Sequence, residues 1–335
     1  MDGFTRLRHQ AAGHEGPLAD EAQTLFVKPS TRQEIEFYTQ VQRVAAEEES
    51  QGKDVEGDRL IDFMPVFMGT LEAGITSKVE ETTQVSEELR KLDLESNKKD
   101  DEQPYLVLQN ALKGFNNPSI IDIKLGSILH DEFTPQEKKA RLQKVSETTT
   151  SGSLNYRVCG MKLYHDQTPD LFKFDKEHVS KTDDGYLVFD KWFGRSLTPT
   201  TVVDNFKIYF QHNKLSSIQQ RILLENFYTR LQLFYNVLLN YELRIRSGSL
   251  LFIYENDPQR WEELNNEDQL FRQDFLGDDD DDDDDDDDNE QPAPLSAMYL
   301  IDFAHAKFTP GKGVDENIIK GVENILDALD RLVNE

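Results

Sequence analysis

Hydrophobic and polar residues are distributed along the chain in two ways, which predict two kinds of element. Short runs rich in β-branched and aromatic residues predict strands, because these side chains fit a pleated, half-buried surface. Apolar residues that recur every three or four positions predict amphipathic helices. Strands are predicted at 24–28, 105–108, 156–164, 186–192, 249–254 and 298–303, with another that ends at Gly126. Helices are predicted at 34–46, 135–144, 217–244 and 315–332.

The order of these elements predicts an α+β fold in two unequal lobes. A chain of 335 residues usually forms two lobes or domains rather than one compact core. We expect residues 1–110 to form a small β-rich N-lobe and residues 111–335 a larger α+β C-lobe, with a hinge at Gln109–Ala111. Polar composition predicts a mobile insertion at about 76–103 and a disordered acidic loop at about 277–294.

The charge of the chain excludes one class of function. The formal charge is −27 at pH 7, and the aspartate run from Asp278 to Asp288 supplies 11 of these charges, which leaves −16 elsewhere. A duplex-DNA binder needs clustered Lys and Arg to displace counterions, so direct nucleic acid binding is not expected. The single cysteine, Cys159, cannot form an intrachain disulfide, and no apolar stretch is long enough to predict a membrane span. We expect a soluble intracellular protein.

The segment from Pro118 to Gly126 carries the most informative chemistry. In an extended strand, Asp122 and Lys124 project from the same face, while Ile121, Ile123 and Leu125 occupy the other. A carboxylate beside an ammonium group stays ionised, so it can receive a hydroxyl proton next to a bound phosphate. The alternative is an edge strand with a surface ion pair.

This segment also resembles a known signature. Pro118, Asp122, Lys124 and Gly126 match the Pro-x-x-x-Asp-x-Lys-x-Gly signature of the inositol polyphosphate kinase family. Further segments are similar to motifs of that family and follow in its order: 12–14, 34–38, 146–154, 156–162, 249–255 and 301–305. With the acidic run, the likeness is strongest to the fungal inositol polyphosphate multikinases. Gly248 departs from the pattern, because a serine is usual there, and Ser249 remains as the candidate for a nucleotide contact.

The resemblance implies an ATP- and Mg²⁺-dependent inositol phosphate kinase with a two-lobed fold similar to those of protein kinases and ATP-grasp enzymes. It implies that Asp122 is the catalytic general base, or orients the acceptor hydroxyl, and that Lys124 contacts a phosphate. We expect nucleotide contacts from Lys28, Glu34, Gln109, Ala111, Ser249 and Asp302.

Two further candidates are a lysine and an aspartate that follow predicted strands. Lys28 ends a strand just before a helix, and a strand lysine anchored by a helix glutamate can point at nucleotide phosphates. Either Glu34 or Glu36 can be its partner; the alternative is a surface lysine. Asp302 lies at the mouth of an apolar strand, where it can bind Mg²⁺ or merely cap a turn. His305 follows it, and the resemblance implies that it contacts the substrate.

A basic helix offers a binding site for a polyanionic substrate despite the acidic composition. Lys138, Arg141 and Lys144 recur at helical spacing and can share one face, and Lys162 on the following strand can extend the group. A ligand with several phosphates needs such a cluster of cations. The alternative is a solvated helix face.

These observations favour a multikinase that phosphorylates inositol 1,4,5-trisphosphate at its 6- and 3-hydroxyls, through the tetrakisphosphate to the pentakisphosphate. The alternatives are an inositol hexakisphosphate kinase and a non-catalytic acidic scaffold for transcription factors. The aspartate run is either a solvated tether or a docking segment for transcription factors and other basic nuclear proteins, as the resemblance to fungal multikinases implies. We therefore expect the protein in the nucleus and the cytoplasm.

Overall fold

The computed structural model describes residues 4–7, 9, 16–53, 55–71, 104–165, 167, 169, 174, 176–272 and 293–335. The insertion predicted at 76–103 lies outside the described residues, and so does the run from Asp278 to Asp288. Within the described ranges, no helix combines the length and the apolar character that crossing a membrane requires.

A five-stranded antiparallel sheet and one helix form the smaller lobe. The strands lie in the order β1-β2-β3-β5-β4. They are β1 Phe4–Arg6, β2 Leu18–Asp20, β3 Leu25–Pro29, β4 Phe67–Leu71 and β5 Tyr105–Gln109. Helix α1 spans Arg32–Ser50 and begins after Thr31, whose hydroxyl accepts a hydrogen bond from the amide of Glu34. Only a short turn separates β3 from α1, so the last residues of the strand lie beside the first turn of the helix.

The larger lobe contains a six-stranded antiparallel sheet in the order β12-β11-β6-β7-β9-β8. Its strands are β6 Pro118–Leu125, β7 Tyr156–Tyr164, β8 Val179–Lys181, β9 Tyr186–Phe189, β11 Ser249–Glu255 and β12 Ser296–Ile301. A separate two-stranded ladder pairs β10 Leu243–Ile245 with β13 Ala306–Phe308. The strand with the Asp–Lys motif, β6, is therefore central, with β11 on one side and β7 on the other.

Helices lie beside this sheet, and all but the first of those named next contribute side chains to its core. They are α2 Gln136–Glu147, α3 Thr150–Leu154, α4 Lys191–Ser196, α5 Thr201–Gln211, α6 Ser217–Leu238, α7 Pro258–Glu263 and α8 Glu316–Val333. Ile121, Ile123 and Leu125 of β6 are fully buried in the core that these helices complete. The other face of the strand carries Asp122 and Lys124, as the alternation predicts. The α+β fold and the two lobes are confirmed.

Three predicted elements end elsewhere. Strand β9 stops at Phe189 because the carboxylate of Asp190 accepts hydrogen bonds from the amides of Trp192 and Phe193 and starts α4. Helix α6 ends at Leu238 rather than at residue 244, where the chain has already entered β10. Strand β12 ends at Ile301, so Asp302 lies beyond it with a positive φ of 68°. Helix α5 escaped prediction, because its sequence is rich in β-branched and aromatic residues.

Candidate active site

One aspartate, Asp302, contacts a lysine from each lobe at the mouth of the central sheet. Asp302 Oδ1 lies 3.4 Å from Lys28 Nζ of the N-lobe, and Asp302 Oδ2 lies 3.4 Å from Lys124 Nζ of the C-lobe. The left-handed backbone at Asp302 is unusual for a residue other than glycine, and such strain persists where the surrounding structure enforces it. The two lysines hold the pKa of the Asp302 carboxyl below its ordinary value, although burial opposes this shift.

The partner of Lys28 is Glu34, at a distance of 2.8 Å. Glu34 is buried, and its two oxygens also accept hydrogen bonds from the hydroxyl of Ser30 and the backbone amide of Phe303. The other candidate, Glu36, is exposed and accepts a hydrogen bond from Gln40 instead. Burial disfavours the charged form of Lys28, but Asp302 and Glu34 outweigh it and raise the lysine pKa. The ammonium therefore stays charged and is directed towards the cleft between the lobes.

Asp122 is buried within the central strand, with 7% of its surface exposed. Burial raises the pKa of its carboxyl, whereas the nearby ammonium of Lys124 lowers it. Its Oδ1 accepts no hydrogen bond from any described residue, which leaves one carboxylate oxygen available. Because an unsatisfied buried carboxylate costs free energy, this oxygen is a strong acceptor for a hydroxyl brought into the site.

Lys124 is fixed by a backbone carbonyl as well as by Asp302. Its ammonium donates a hydrogen bond of 2.7 Å to the carbonyl oxygen of Ser247, which also has a positive φ, 58°. The Ser247 hydroxyl in turn donates to the carbonyl of Leu129. Burial lowers the pKa of Lys124, but Asp302 and other neighbours reverse the effect and raise it. Lys124 is thus a positioned cation on the same face of β6 as Asp122.

Ser249 lies directly opposite Lys124 in the sheet, on the same face. It is fully buried, and its hydroxyl lies close enough to the carboxyl of Asp122 to lower the pKa of that carboxyl. Gly248 precedes it at the position where a serine was expected from the resemblance. A Cβ there would lie 2.5 Å from the side-chain methyl Cγ2 of Ile245. Glycine at this position therefore allows that isoleucine to approach the backbone closely.

The hinge borders an apolar surface on the catalytic face of the sheet. This surface, the apolar floor, comprises Ile120, Ile253, Ala297 and Tyr299, with Ala111 packed against it. Gln109 is buried and its Nε2 makes no hydrogen bond within the described part of the chain. The members of this cluster are buried, and Leu112 and Phe115 also pack against it, so nucleotide contacts from Gln109 and Ala111 stay a prediction.

The C-terminal side of the hinge is held to the larger lobe. Arg272 donates hydrogen bonds to the carbonyls of Ala111 and Lys113, at 3.1 and 2.6 Å. Gly114, with a φ of 83°, approaches Ala293 so closely that a Cβ on the glycine would lie 2.3 Å from the Cβ of Ala293. The residues that flank the stretch 273–292 therefore both lie against the hinge.

The donor set fits a divalent metal that is shared with a phosphate. Among the described residues, no three His, Cys, Asp or Glu side chains cluster as a complete metal site. Mg²⁺ usually takes one or two protein carboxylates and completes its shell with water and substrate phosphates. Asp302 can supply such a carboxylate, since it is partly exposed and lies between two lysines that can bind the phosphates.

Comparison with known proteins agrees with this geometry. Residues 105–330 match the family model for inositol polyphosphate kinases. The chain belongs to the inositol polyphosphate kinase family. The kinase is 42% identical to the inositol polyphosphate multikinase of Saccharomyces cerevisiae, over 98% of each chain. It is 28% identical to inositol hexakisphosphate kinase 3 of Mus musculus, over 67% of this chain and 50% of the relative.

A solved structure supports the fold of the kinase as well. The inositol phosphate multikinase of S. cerevisiae, crystallised with ADP and Mn²⁺, superimposes with a TM-score of 0.70 at 39% identity. The match covers 92% of this chain and 99% of that chain. The kinase is therefore a two-lobed phosphotransferase of this family, which bears out the family assignment made from the motifs.

The cations of α2 are exposed. Lys138, Arg141 and Lys144 are open to solvent, and none forms an ion pair with a described residue. The helix follows β6 beyond Gly126, and the hydroxyl of Ser146 fixes its C-terminal end by donating to the carbonyl of Ser127. These side chains are free to bind phosphates at the Gly126 end of the central strand.

Lys162 does not join that helix. It faces Ile120, at the opposite end of β6, and only 6% of its surface is exposed. Its ammonium lies 3.1 Å from His9 Nδ1 and 4.2 Å from the ring centroid of Tyr186. Burial lowers its pKa, and the charge of Asp184 offsets only part of the effect. Lys162 still flanks Asp122 on the catalytic face, but as a separate cation rather than as an extension of the α2 group.

A buried arginine takes the place that Lys162 was expected to fill. Arg157 lies opposite Lys124 and donates a 2.8 Å hydrogen bond to the hydroxyl of Ser151. Arg157 and Lys162 are five residues apart, so simple alternation puts them on opposite faces. The pairing of β6 with β7 shifts register between Asp122 and Ile123, and Cys159 is the extra residue. This bulge brings both cations to the catalytic face, and an alternation pattern cannot reveal it.

His305 lies on the turn that follows Asp302. Its Nδ1 is 2.6 Å from Asp131 Oδ2, in the loop between β6 and α2. Burial alone would raise the pKa of Asp131, but the hydroxyl of Thr134 and the imidazole of His305 hold it at about 2. The histidine is therefore paired with a permanently charged carboxylate near neutral pH.

Proposed function

We propose that this kinase transfers the γ-phosphoryl group of ATP to inositol 1,4,5-trisphosphate, chiefly at the 6- and 3-hydroxyls, on the way to the pentakisphosphate. The observation that carries the proposal is the arrangement around Asp302. One lysine from each lobe binds that aspartate, and Asp122 projects from the same face of β6 as the second lysine, within range of its charge.

Each group has a role in the transfer. We infer that the base binds at the hinge beside Gln109 and Ala111, and that Lys28 and Lys124 hold the phosphates. Asp302 would hold a divalent metal, which neutralises developing charge on the phosphates when bound. Asp122 accepts the proton of the acceptor hydroxyl. At the same time the hydroxyl oxygen forms a bond to the γ-phosphorus, and the bond between the γ-phosphorus and the oxygen of the β-phosphate breaks, which releases ADP. Ser249 can hydrogen-bond a nucleotide oxygen.

The acceptor site is bordered by short elements, which favours several acceptor positions on one ring. Only 29 residues separate Gly126 from Tyr156, and they form one loop and the helices α2 and α3. The unpaired cations of α2 end in flexible side chains that can bind phosphates in more than one arrangement. We propose Lys138, Arg141, Lys144, Lys162 and His305 as substrate contacts, together with Lys124.

A product assay tests this function. Purified protein is incubated with labelled ATP, Mg²⁺ and a panel of inositol phosphates, and the products are separated by anion-exchange chromatography. We expect successive tetrakis- and pentakisphosphate products from inositol 1,4,5-trisphosphate. Pyrophosphate products from the hexakisphosphate would favour the hexakisphosphate kinase alternative instead. Absence of any product would favour the acidic scaffold.

The same assay tests the basic helix. Charge reversal in Lys138→Glu/Lys144→Glu should raise KM for inositol trisphosphate by about tenfold, because two phosphate contacts become repulsive. KM for ATP should change little. The matched control is Lys53→Glu/Lys181→Glu, which changes the net charge equally on the N-lobe and at the far edge of the large sheet. Equal effects on both substrates would assign α2 a structural role.

We also propose that the aspartate run binds transcription factors or other basic nuclear proteins, and that the protein occurs in the nucleus and the cytoplasm. Eleven consecutive carboxylates attract lysine- and arginine-rich segments in a salt-dependent way. A variant with serine in place of Asp278–Asp288 should lose binding to a basic peptide in 150 mM salt and keep its kinase rate. Loss of the kinase rate in a folded variant would contradict the separation of the two roles.

A further inference from the structure

We propose that Asp131 is a positioning residue for the acceptor site. Its carboxylate fixes the ring of His305 so that Nδ1 carries a hydrogen and the lone pair of Nε2 is presented to a hydroxyl of the inositol substrate. This inference rests on the proposed function, because that function makes His305 a substrate contact. It adds a residue outside the matched motifs and gives the histidine one tautomer and one direction.

Asp131 is itself held in place by three hydrogen bonds. Its Oδ1 accepts from the amides of Phe133 and Thr134, at 3.1 and 2.8 Å, and from the hydroxyl of Thr134 at 2.6 Å. These bonds occupy Oδ1 and leave Oδ2 for His305 at 2.6 Å. The carboxylate side chain is only 8% exposed. A charged acceptor that is held by its own loop can orient a partner without losing much rotational freedom itself.

The loop that carries Asp131 is attached to the rest of the active site. The side-chain oxygen of Asn317 accepts hydrogen bonds from the amides of Ser127 and Ile128, and the hydroxyl of Ser247 donates to the carbonyl of Leu129. The carbonyl of the same Ser247 binds the ammonium of Lys124. The position of Asp131 is thus set relative to the catalytic strand, not only relative to its own loop.

His305 belongs to the opposite side of this contact. It lies three residues after Asp302, on a turn closed by a hydrogen bond from the amide of Ala306 to the carbonyl of Phe303. A carboxylate at Nδ1 requires a hydrogen on that nitrogen, and in this tautomer Nε2 is an acceptor that is left for a ligand hydroxyl. Without Asp131, the ring can rotate and exchange tautomers, and its interaction with a substrate hydroxyl weakens.

A double-mutant cycle tests this arrangement. Asp131→Asn keeps an oxygen for Thr134 but presents an amide to Nδ1. We expect it to raise KM for inositol trisphosphate about tenfold and to leave kcat and KM for ATP within about twofold. In a His305→Ala background, Asp131→Asn should have no further effect on that KM. An equal effect in both backgrounds would overturn the inference, because it would show a role of the loop alone.

Two further measurements separate positioning from folding. Glu132→Gln is the matched control, since it removes the neighbouring carboxylate that pairs with Lys307 and leaves the contact of Asp131 with His305 intact. It should not raise KM. In ¹⁵N-labelled protein, the His305 ring should carry its hydrogen on Nδ1 in the wild type and shift towards the Nε2–H tautomer in Asp131→Asn. An unchanged tautomer overturns the inference; a wild type inactive on every inositol phosphate overturns the proposed function.

Discussion

Asp122→Ala should reduce kcat of inositol phosphate phosphorylation by about 10²–10⁴-fold, the range typical of removing a general base. The acceptor hydroxyl would lose the only carboxylate oxygen that is buried beside Lys124 without a hydrogen bond from the described residues. KM for ATP should change little, because Lys28, Lys124 and Asp302 remain. The measurement is a steady-state assay with saturating ATP and inositol trisphosphate.

The same variant should stay folded. Burial raises the pKa of the Asp122 carboxyl, so folding carries a free-energy cost for burying this group, and its removal also relieves an unsatisfied acceptor. Lys124 keeps Asp302 and the carbonyl of Ser247 as partners. We expect a cooperative transition within a few degrees of the wild type. Glu36→Ala, which removes an exposed carboxylate, should behave as the wild type in both tests. A near-normal rate in Asp122→Ala would refute the assignment.

Asp302→Asn should make the affinity for nucleotide independent of Mg²⁺. An amide is a poor ligand for Mg²⁺ and carries no charge to balance the two lysines. We expect kcat to fall by about 10³-fold or more, in line with the loss of electrostatic stabilisation of a phosphoryl transition state. In calorimetric titrations with a non-hydrolysable ATP analogue, the affinity of the wild type should depend on Mg²⁺ and that of the variant should not.

This variant also changes the unliganded protein. Without the carboxylate, no negative charge lies between the ammonium groups of Lys28 and Lys124 at the cleft. Their repulsion is then unbalanced, so the unfolding temperature should fall. Adding nucleotide should restore part of the difference, because phosphates replace the missing negative charge. Asp58→Asn, at an exposed position, is the control. A variant that retains Mg²⁺-dependent nucleotide binding would show that another group holds the metal.

The sequence predicts the catalytic strand well because its information is local. Alternation over eight residues places Ile121, Ile123 and Leu125 in the core and Asp122 and Lys124 on the free face, and burial drives this choice directly. The starts of the helices α1, α6 and α8 were predicted within about two residues for the same reason, whereas α6 ends at Leu238 and not at residue 244. The ends that were wrong depend on single capping groups, such as Asp190, whose effect competes with strand propensity.

Other parts of the site depend on contacts that no local pattern contains. Asp131 and His305 are 174 residues apart, and Lys28 and Asp302 are 274 apart. The bulge at Cys159 adds one residue to β7 and so brings Arg157 to the catalytic face together with Lys162. A simple alternation pattern would place these two residues on opposite faces. The left-handed backbone at Asp302 and Ser247 is another such feature, because tertiary contacts impose this conformation against the preference of both residue types.

The anchoring of Arg272 and Ala293 at the hinge has a consequence for how this kinase can vary. Both ends of the stretch 273–292 are held at fixed positions, Arg272 by two carbonyls and Ala293 by its carbonyl contact with Arg260 and its approach to Gly114. The entropy of closing a chain between fixed points rises only with the logarithm of its length. We therefore expect that segments of different length can join Arg272 to Ala293 at little energetic cost.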